Sequence, residues 1–245
     1  MTAAQNEEVC AKALALGEGE LDGNGKGWPG GFAYFDETPV DAWRYQYVKR
    51  AIDFTFALVM MVVLAVPGVL IAGAIAVTSK GPVFYKEERI GRFGRRFKIW
   101  KFRSMSPNSS RRISIVNMRP PGGISEWRMR KRLADPRITA VGRFLRRWSL
   151  DELPQLYNIL RGEMSLVGPR PIVRSETALY GSWLPYYLAV TPGLSGLWQV
   201  SGRSLIGYEQ RAKLDASYVR SWSLANDLTI LLRTIPAVLG HVGAY

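Results

Sequence analysis

The chain has 245 residues and an apolar fraction of 47%, enough for one domain with appendages or for two small ones. Lys and Arg outnumber Asp and Glu by 33 to 20, a net charge of +13, which implies an anionic partner: nucleic acid, phospholipid or a phosphate-bearing substrate. One cysteine, Cys10, excludes an internal disulfide framework and a cysteine zinc site, and one histidine, His241, argues against His-based triads and metal clusters. Chemistry must therefore come from carboxylates, Lys, Arg, Tyr or Ser. Eight Trp and eleven Tyr fit a bilayer interface or an ordinary core equally.

Residues 1–42 form a Gly-rich polar stretch without periodicity, which reads as a disordered tail and has no secretory-signal pattern. From Phe54 to Ser79 there follow 26 residues without a charge. That exceeds the roughly 20 needed to cross a hydrocarbon core, so residues 43–80 read as membrane-inserted. Arg44, Lys49 and Arg50 precede the run, and Lys80, Lys86, Arg89 and Arg92 follow it. Positive residues stay cytoplasmic, so both ends belong on one side. Pro67-Gly68 lies at the midpoint, where proline removes a helical hydrogen bond and clashes with the preceding turn. A re-entrant helix bent at Pro67 meets both constraints; a kinked complete span is the alternative.

Next, Gly81 to Lys86 reads as a turn and a short strand. Phe97 to Arg103 alternates apolar and basic residues at period two, a strand able to show Lys98 and Arg103 on one face and Lys101 on the other to phosphate oxygens. Residues 106–134 read as a long loop and a helix around Glu126–Leu133. A helix opened by Asp135-Pro136 carries Ile138, Val141, Phe144, Leu145 and Trp148 on one side and arginines elsewhere, suited to an anionic membrane surface or to packing on the domain. In Ser149-Leu150-Asp151-Glu152-Leu153-Pro154-Gln155-Leu156, Ser149 and Glu152 are spaced as a capping box, with the two carboxylates offsetting the helix dipole; taken alone, this segment reads as structural. Gly162 ends that helix. The Gly168-Pro169-Arg170-Pro171 turn fixes an arginine whose planar fork binds phosphate. Pro192 to Arg203 repeats the device through a Gly-rich turn and a short strand. A helix from Tyr208 carries Asp215 and Tyr218, and a last helix starts near Asn226-Asp227.

Together these features suggest phosphoryl transfer, which needs a nucleophile, cations on the phosphate oxygens and usually a divalent metal. A carboxylate can be that nucleophile, and its neighbour can bind Mg²⁺, which prefers oxygen ligands. The motifs just quoted, with Lys49-Arg50-Ala51-Ile52-Asp53, Lys101-Phe102-Arg103-Ser104-Met105 and Leu214-Asp215, resemble those of the bacterial sugar transferase family, the monotopic phosphoglycosyl transferases. The resemblance runs from about residue 46 to the end.

The resemblance implies a mostly helical α+β fold: a small cytoplasmic catalytic domain over 81–245, a re-entrant Pro-kinked membrane helix and interfacial amphipathic helices. It implies transfer of a hexose 1-phosphate from a UDP-sugar to undecaprenyl phosphate at the bacterial inner membrane, as the first membrane step of exopolysaccharide synthesis. By resemblance Asp151 is the nucleophile that displaces UMP, and Glu152 assists with Mg²⁺ and proton handling. Lys101 and Asp215 are catalytic positions, while Arg170, Arg203 and Arg103 meet phosphate or nucleotide. A catalytic Asp215 and one that organises the arginines remain alternatives. The motifs around Trp198 and Leu232 lean toward glucose- or galactose-transferring members. The chain reads as a short form without several N-terminal membrane helices, with a homodimer possible and no nucleic-acid partner. Competing readings are a membrane-anchored basic module, disfavoured because the charge is spread along the chain, and a non-catalytic scaffold of a polysaccharide assembly complex.

Overall fold

A computed structural model describes residues 39–106, 137–202 and 206–240. Most of the tail, the helix expected over 126–133 and Arg203 lie outside the described residues.

The long apolar run forms two helices, α1 (Arg50–Val63), which continues a π-helical stretch at Arg44–Lys49, and α2 (Ala65–Thr78). They are bent by 62° at Leu64. The break falls three residues before Pro67, because the proline ring presses on the carbonyl four residues back and offers no N–H of its own. No single described helix is long and apolar enough to cross a membrane; the bent pair is, by length and composition. Val62, Val66, Val69, Leu70 and Val77 of this bent pair are exposed.

The root of α1 is anchored by charge. Lys49 Nζ donates to Asp227 Oδ2 at 2.7 Å and lies 3.8 Å from Asp53 Oδ2, while Asp53 Oδ1 accepts from the Leu166 amide at 3.1 Å. The Arg50 guanidinium donates to the carbonyls of Ile159 and Leu160, at the end of a short helix, α4 (Gln155–Leu160). Gly162, with φ +79°, makes the turn after α4; a Cβ there would meet Arg50 Nη2 at 3.4 Å.

After the bent apolar pair, β1 (Phe84–Ile90) and β2 (Arg96–Phe102) pair antiparallel, with Tyr85 opposite Lys101 and Ile90 opposite Arg96. Phe97 and Ile99 enter the core. Period two then places Lys101 and Arg103 with them, and exposed Lys98 on the other face. This corrects the expected pairing of Lys98 with Arg103, which are five residues apart and so on opposite faces.

Helix α3 (Ala140–Arg147) starts later than the expected Asp135-Pro136 opening: Ile138 pairs with Met105 in an antiparallel bridge, and Thr139 Oγ1 accepts from the Gly142 amide at 2.9 Å to cap the helix. It buries Leu145 and leaves Phe144 exposed. A second small sheet pairs β3 (Ser165–Val167) parallel to β4 (Gly193–Ser195). The backbones touch closely here, since a Cβ on Gly193 would fall 2.1 Å from the Gly168 amide nitrogen. The stretch after β4 is a helical turn, α7 (Leu197–Val200), which follows two short helices, α5 (Thr177–Tyr180) and α6 (Leu184–Ala189). Helix α8 (Tyr208–Arg220) begins where expected. Helix α9 (Leu224–Leu239) begins earlier than expected, because Ser223 caps the Asn226 amide, and it carries Pro236 inside.

The main core joins Phe97 and Ile99 of β2, Leu156 and Ile159 of α4, Leu166 and Val167 of β3, and Tyr218, Val219 and Ile230 of α8 and α9. The sheets thus hold β2, α4 and the turn after β3 side by side, and those three segments build the site. The fold is α+β and mostly helical, as expected.

Candidate active site

Ser149 has φ +55°, a left-handed conformation costly for a residue with a Cβ, and its side chain makes no cap hydrogen bond. The expected capping box is therefore absent. Leu150–Glu152 is a single 3₁₀ turn, and α4 starts only at Gln155 after Pro154. The reason lies across the site. Glu152 does not reach back to the Ser149 amide; its Oε1 accepts from Lys101 Nζ at 2.7 Å, with Arg170 Nη2 at 3.7 Å.

The two adjacent carboxylates are driven apart. Burial and the charge of Glu152 push Asp151 above the usual carboxylate range, against Lys101 and Arg146. For Glu152 burial also opposes ionisation, but Lys101 and then Arg170 outweigh it and hold the group at about 2. Glu152 is a fixed anion inside a cationic clamp. Asp151 is the carboxylate whose charge is least satisfied, a different outcome from the ionised helix-start residue that the sequence suggests.

Arg170 is held by its turn. The Gly193 amide donates to the Pro169 carbonyl at 2.8 Å, Arg89 Nη1 to the Pro171 carbonyl at 3.1 Å, and Arg211 Nη2 to the Arg170 carbonyl at 3.4 Å. Arg89, Lys101, Glu152, Gln155 and Arg170 line a small cleft closed by Ile99 and Leu194. Arg89 and Gln155 carried no separate signal in sequence. Nor did Asn158, fully buried, which accepts from the Trp100 amide at 3.1 Å and donates to the Lys98 carbonyl at 2.9 Å, clamping β2 to α4. A polar residue on the buried side of the 150–160 segment was the available clue.

The structure thus brings Lys101, Asp151, Glu152 and Arg170 together. Asp215 stands apart: fully buried, it accepts from Tyr180 Oη at 2.8 Å and lies 4.0 Å from Arg211 Nε. Burial lifts it to about 7 in spite of both partners. Arg211 is stacked over Trp198 and Tyr208, with ring centroids at 4.7 and 5.0 Å. Asp215 therefore reaches the site through Arg211 and the Arg170 backbone. Arg103 also differs from its expected place among the phosphate ligands: it donates to the Pro82 carbonyl at 2.6 Å, the Ser79 carbonyl at 2.7 Å and Ser79 Oγ at 2.8 Å. It caps the end of α2.

Among the described residues no group of three or more His, Cys, Asp and Glu forms a metal cage. Two adjacent carboxylates still suit Mg²⁺, which is commonly bound by one or two carboxylates with substrate phosphates completing the shell.

Paired carboxylates under a cluster of Lys and Arg have the charge arrangement that suits phosphate-bearing groups. The chain belongs to the bacterial sugar transferase family, whose model matches residues 44–241; it is a transferase. It is 46% identical over 198 residues to the exopolysaccharide production protein ExoY of Sinorhizobium fredii, covering 80% of this chain and 88% of that protein. It is 44% identical over 201 residues to the undecaprenyl-phosphate galactose phosphotransferase of Salmonella typhimurium, covering 82% of this chain and 42% of the relative. It is 37% identical over 226 residues to the undecaprenyl-phosphate glucose phosphotransferase of Komagataeibacter xylinus, covering 85% and 40%. The chain thus spans most of ExoY and less than half of the two phosphotransferases.

Proposed function

We propose that this protein transfers hexose 1-phosphate, with glucose or galactose favoured, from a UDP-sugar to undecaprenyl phosphate at the bacterial inner membrane. The observation that carries the reading is the split dyad: Glu152 held ionised by Lys101 and Arg170, with Asp151 beside it short of stabilising partners. The names of the galactose and glucose phosphotransferase relatives support the substrates.

In this mechanism an Asp151 carboxylate oxygen attacks the phosphorus bearing the sugar. The bond from that phosphorus to the oxygen bridging the two phosphates breaks, UMP leaves, and the hexose phosphate is held on Asp151 as an acyl phosphate. A phosphate oxygen of undecaprenyl phosphate then attacks the same phosphorus and returns Asp151 as a carboxylate. Lys101 and Arg170 neutralise the phosphate oxygens and Arg89 extends the cationic wall. Asp151 and Glu152 are the residues that would hold Mg²⁺, which supplies further charge neutralisation when bound. Asp215 acts through Arg211 as a positioning residue. Arg203 meets the nucleotide.

The apolar hairpin α1–α2 enters one leaflet and returns, which leaves the catalytic domain facing the cytoplasm. Its 62° bend, its exposed valines and leucines and the basic residues at both ends support this placement.

The test is UMP release by purified protein in nanodiscs with Mg²⁺, undecaprenyl phosphate and a panel of UDP-sugars. Release with one UDP-hexose, lost in Asp151→Asn, is expected. A folded, inserted protein that releases no UMP with any sugar would leave the assembly scaffold as the reading.

A further inference from the structure

A cavity larger than the dyad cleft opens at the turn end of the β1–β2 hairpin. The root of α1, the tight turn between the two strands and the Arg161–Ser165 turn after α4 form its walls. Six basic side chains line it, Lys49, Arg50, Arg92, Arg95, Arg96 and Arg161, against the carboxylates of Asp53 and Glu163. No residue lines both spaces, although Arg89 of the dyad cleft stands opposite Phe97 of this one across the strand pair.

The lining is built in layers. Lys49 and Arg50 form a floor fixed by Asp227 and the α4 carbonyls. Arg92 is held by the Ala189 carbonyl at 2.8 Å and packs over Tyr45 and Phe93, with centroids at 5.6 and 4.5 Å. Arg95 and Arg161 are exposed at the mouth. Arg161 donates through Nε to Glu163 Oε1 at 3.0 Å, and Arg96 lies 3.7 Å from Glu88 Oε1. Phe93, at φ +58°, holds a left-handed conformation disfavoured for a bulky residue, a kind of strain that gathers at ligand-binding turns.

We propose that this cleft is a second binding site, for a phosphate-bearing anion, separate from the carboxylate dyad. The chemistry of the lining selects a phosphate group but not its bearer. Because the cleft sits at the root of α1, just before the apolar run, an anionic lipid head group is one source, and that source rests on the membrane placement proposed above. A soluble phosphate compound is the other.

The test uses the full chain in phosphatidylcholine nanodiscs, with hydrogen exchange read over residues 91–97 and 161–165. One arm adds phosphatidylglycerol to the bilayer, and the other adds soluble pyrophosphate. Protection of both segments in the first arm assigns the site to a lipid head group, and protection in the second alone assigns it to a soluble ligand. In the doubly neutralised Arg95→Gln/Arg161→Gln protein, half-protection is expected to need several-fold more of the effective probe. Both side chains are exposed, and an unchanged melting temperature verifies the fold. Absence of protection with either probe in the unsubstituted protein, or protection unaffected by the double substitution, would overturn the proposal.

Discussion

Two charge clusters in this molecule use the same residue types to opposite ends. At the root of α1, Lys49 sits between Asp53 and Asp227, and Asp227 also accepts from Tyr218 Oη at 2.8 Å and Trp222 Nε1 at 3.1 Å. In the cleft, Lys101 and Arg170 converge on Glu152, while Asp151 beside it is left with its charge opposed by burial and by its neighbour. In the first cluster the buried Asp227 carboxylate is met by Lys49, Tyr218 and Trp222, which fixes a helix to a domain. The second is open to a cleft and holds cationic donors in excess of its anions, which is what an incoming phosphate requires. The partnering of the buried carboxylate separates the structural salt bridge from the functional one.

That contrast can be broken from either side. The largest effect expected is from Asp151→Asn, which removes the nucleophile and should lower UMP release by at least about 10³-fold, with the melting temperature unchanged or raised because an unfavourably buried charge is gone. Lys101→Met should follow, at roughly 10²-fold in turnover, with Glu152 titrating nearer the ordinary carboxylate range when followed by NMR. In the first cluster the expected loss is of stability. Asp227→Ala leaves Lys49 buried beside Asp53 alone and should cost roughly 3–5 kcal/mol in denaturant unfolding. Arg103→Leu should cost less, about 1–3 kcal/mol, by uncapping the carbonyls at the end of α2.

Asp215 sharpens the comparison through pH. Its folded-state value of about 7 lies above its ordinary 3.8, so the folded protein binds the extra proton between those limits. Its contribution to stability is full below about 4 and is lost as pH rises through about 7. Asp215→Asn should flatten that part of the melting-temperature profile. Activity runs the other way: Asp151 must be ionised to attack, and its value is raised, so turnover should climb with pH on an acid limb above the usual carboxylate range.

Much of this was legible from local pattern. The alternation from Phe97 to Arg103 gave β2, the proline in the apolar run gave the bend, and the rigid Gly-Pro turn placed Arg170 in the site. What misled was local as well. Ser149 and Glu152 have the spacing of a capping box, but Lys101 of β2, far away in sequence, captures the glutamate, and Ser149 is left-handed. Arg103 directly follows the strand that carries Lys101 and looks equally suited to phosphate; only the end of α2 beside it gives its guanidinium carbonyls to cap. Asp215 could not be placed from sequence because its role depends on Arg211, Tyr180 and the backbone of Arg170, which meet only in the fold.

The central claim is that Asp151 carries the hexose phosphate. Intact-mass and peptide mass spectrometry of the protein incubated with the accepted UDP-hexose, with no undecaprenyl phosphate present, test it most directly. The account predicts one added hexose phosphate, located on the peptide bearing Asp151 and discharged when undecaprenyl phosphate is supplied. Product formed at full rate by an enzyme that never acquires the adduct, or an adduct on another residue that persists in Asp151→Asn, would contradict it.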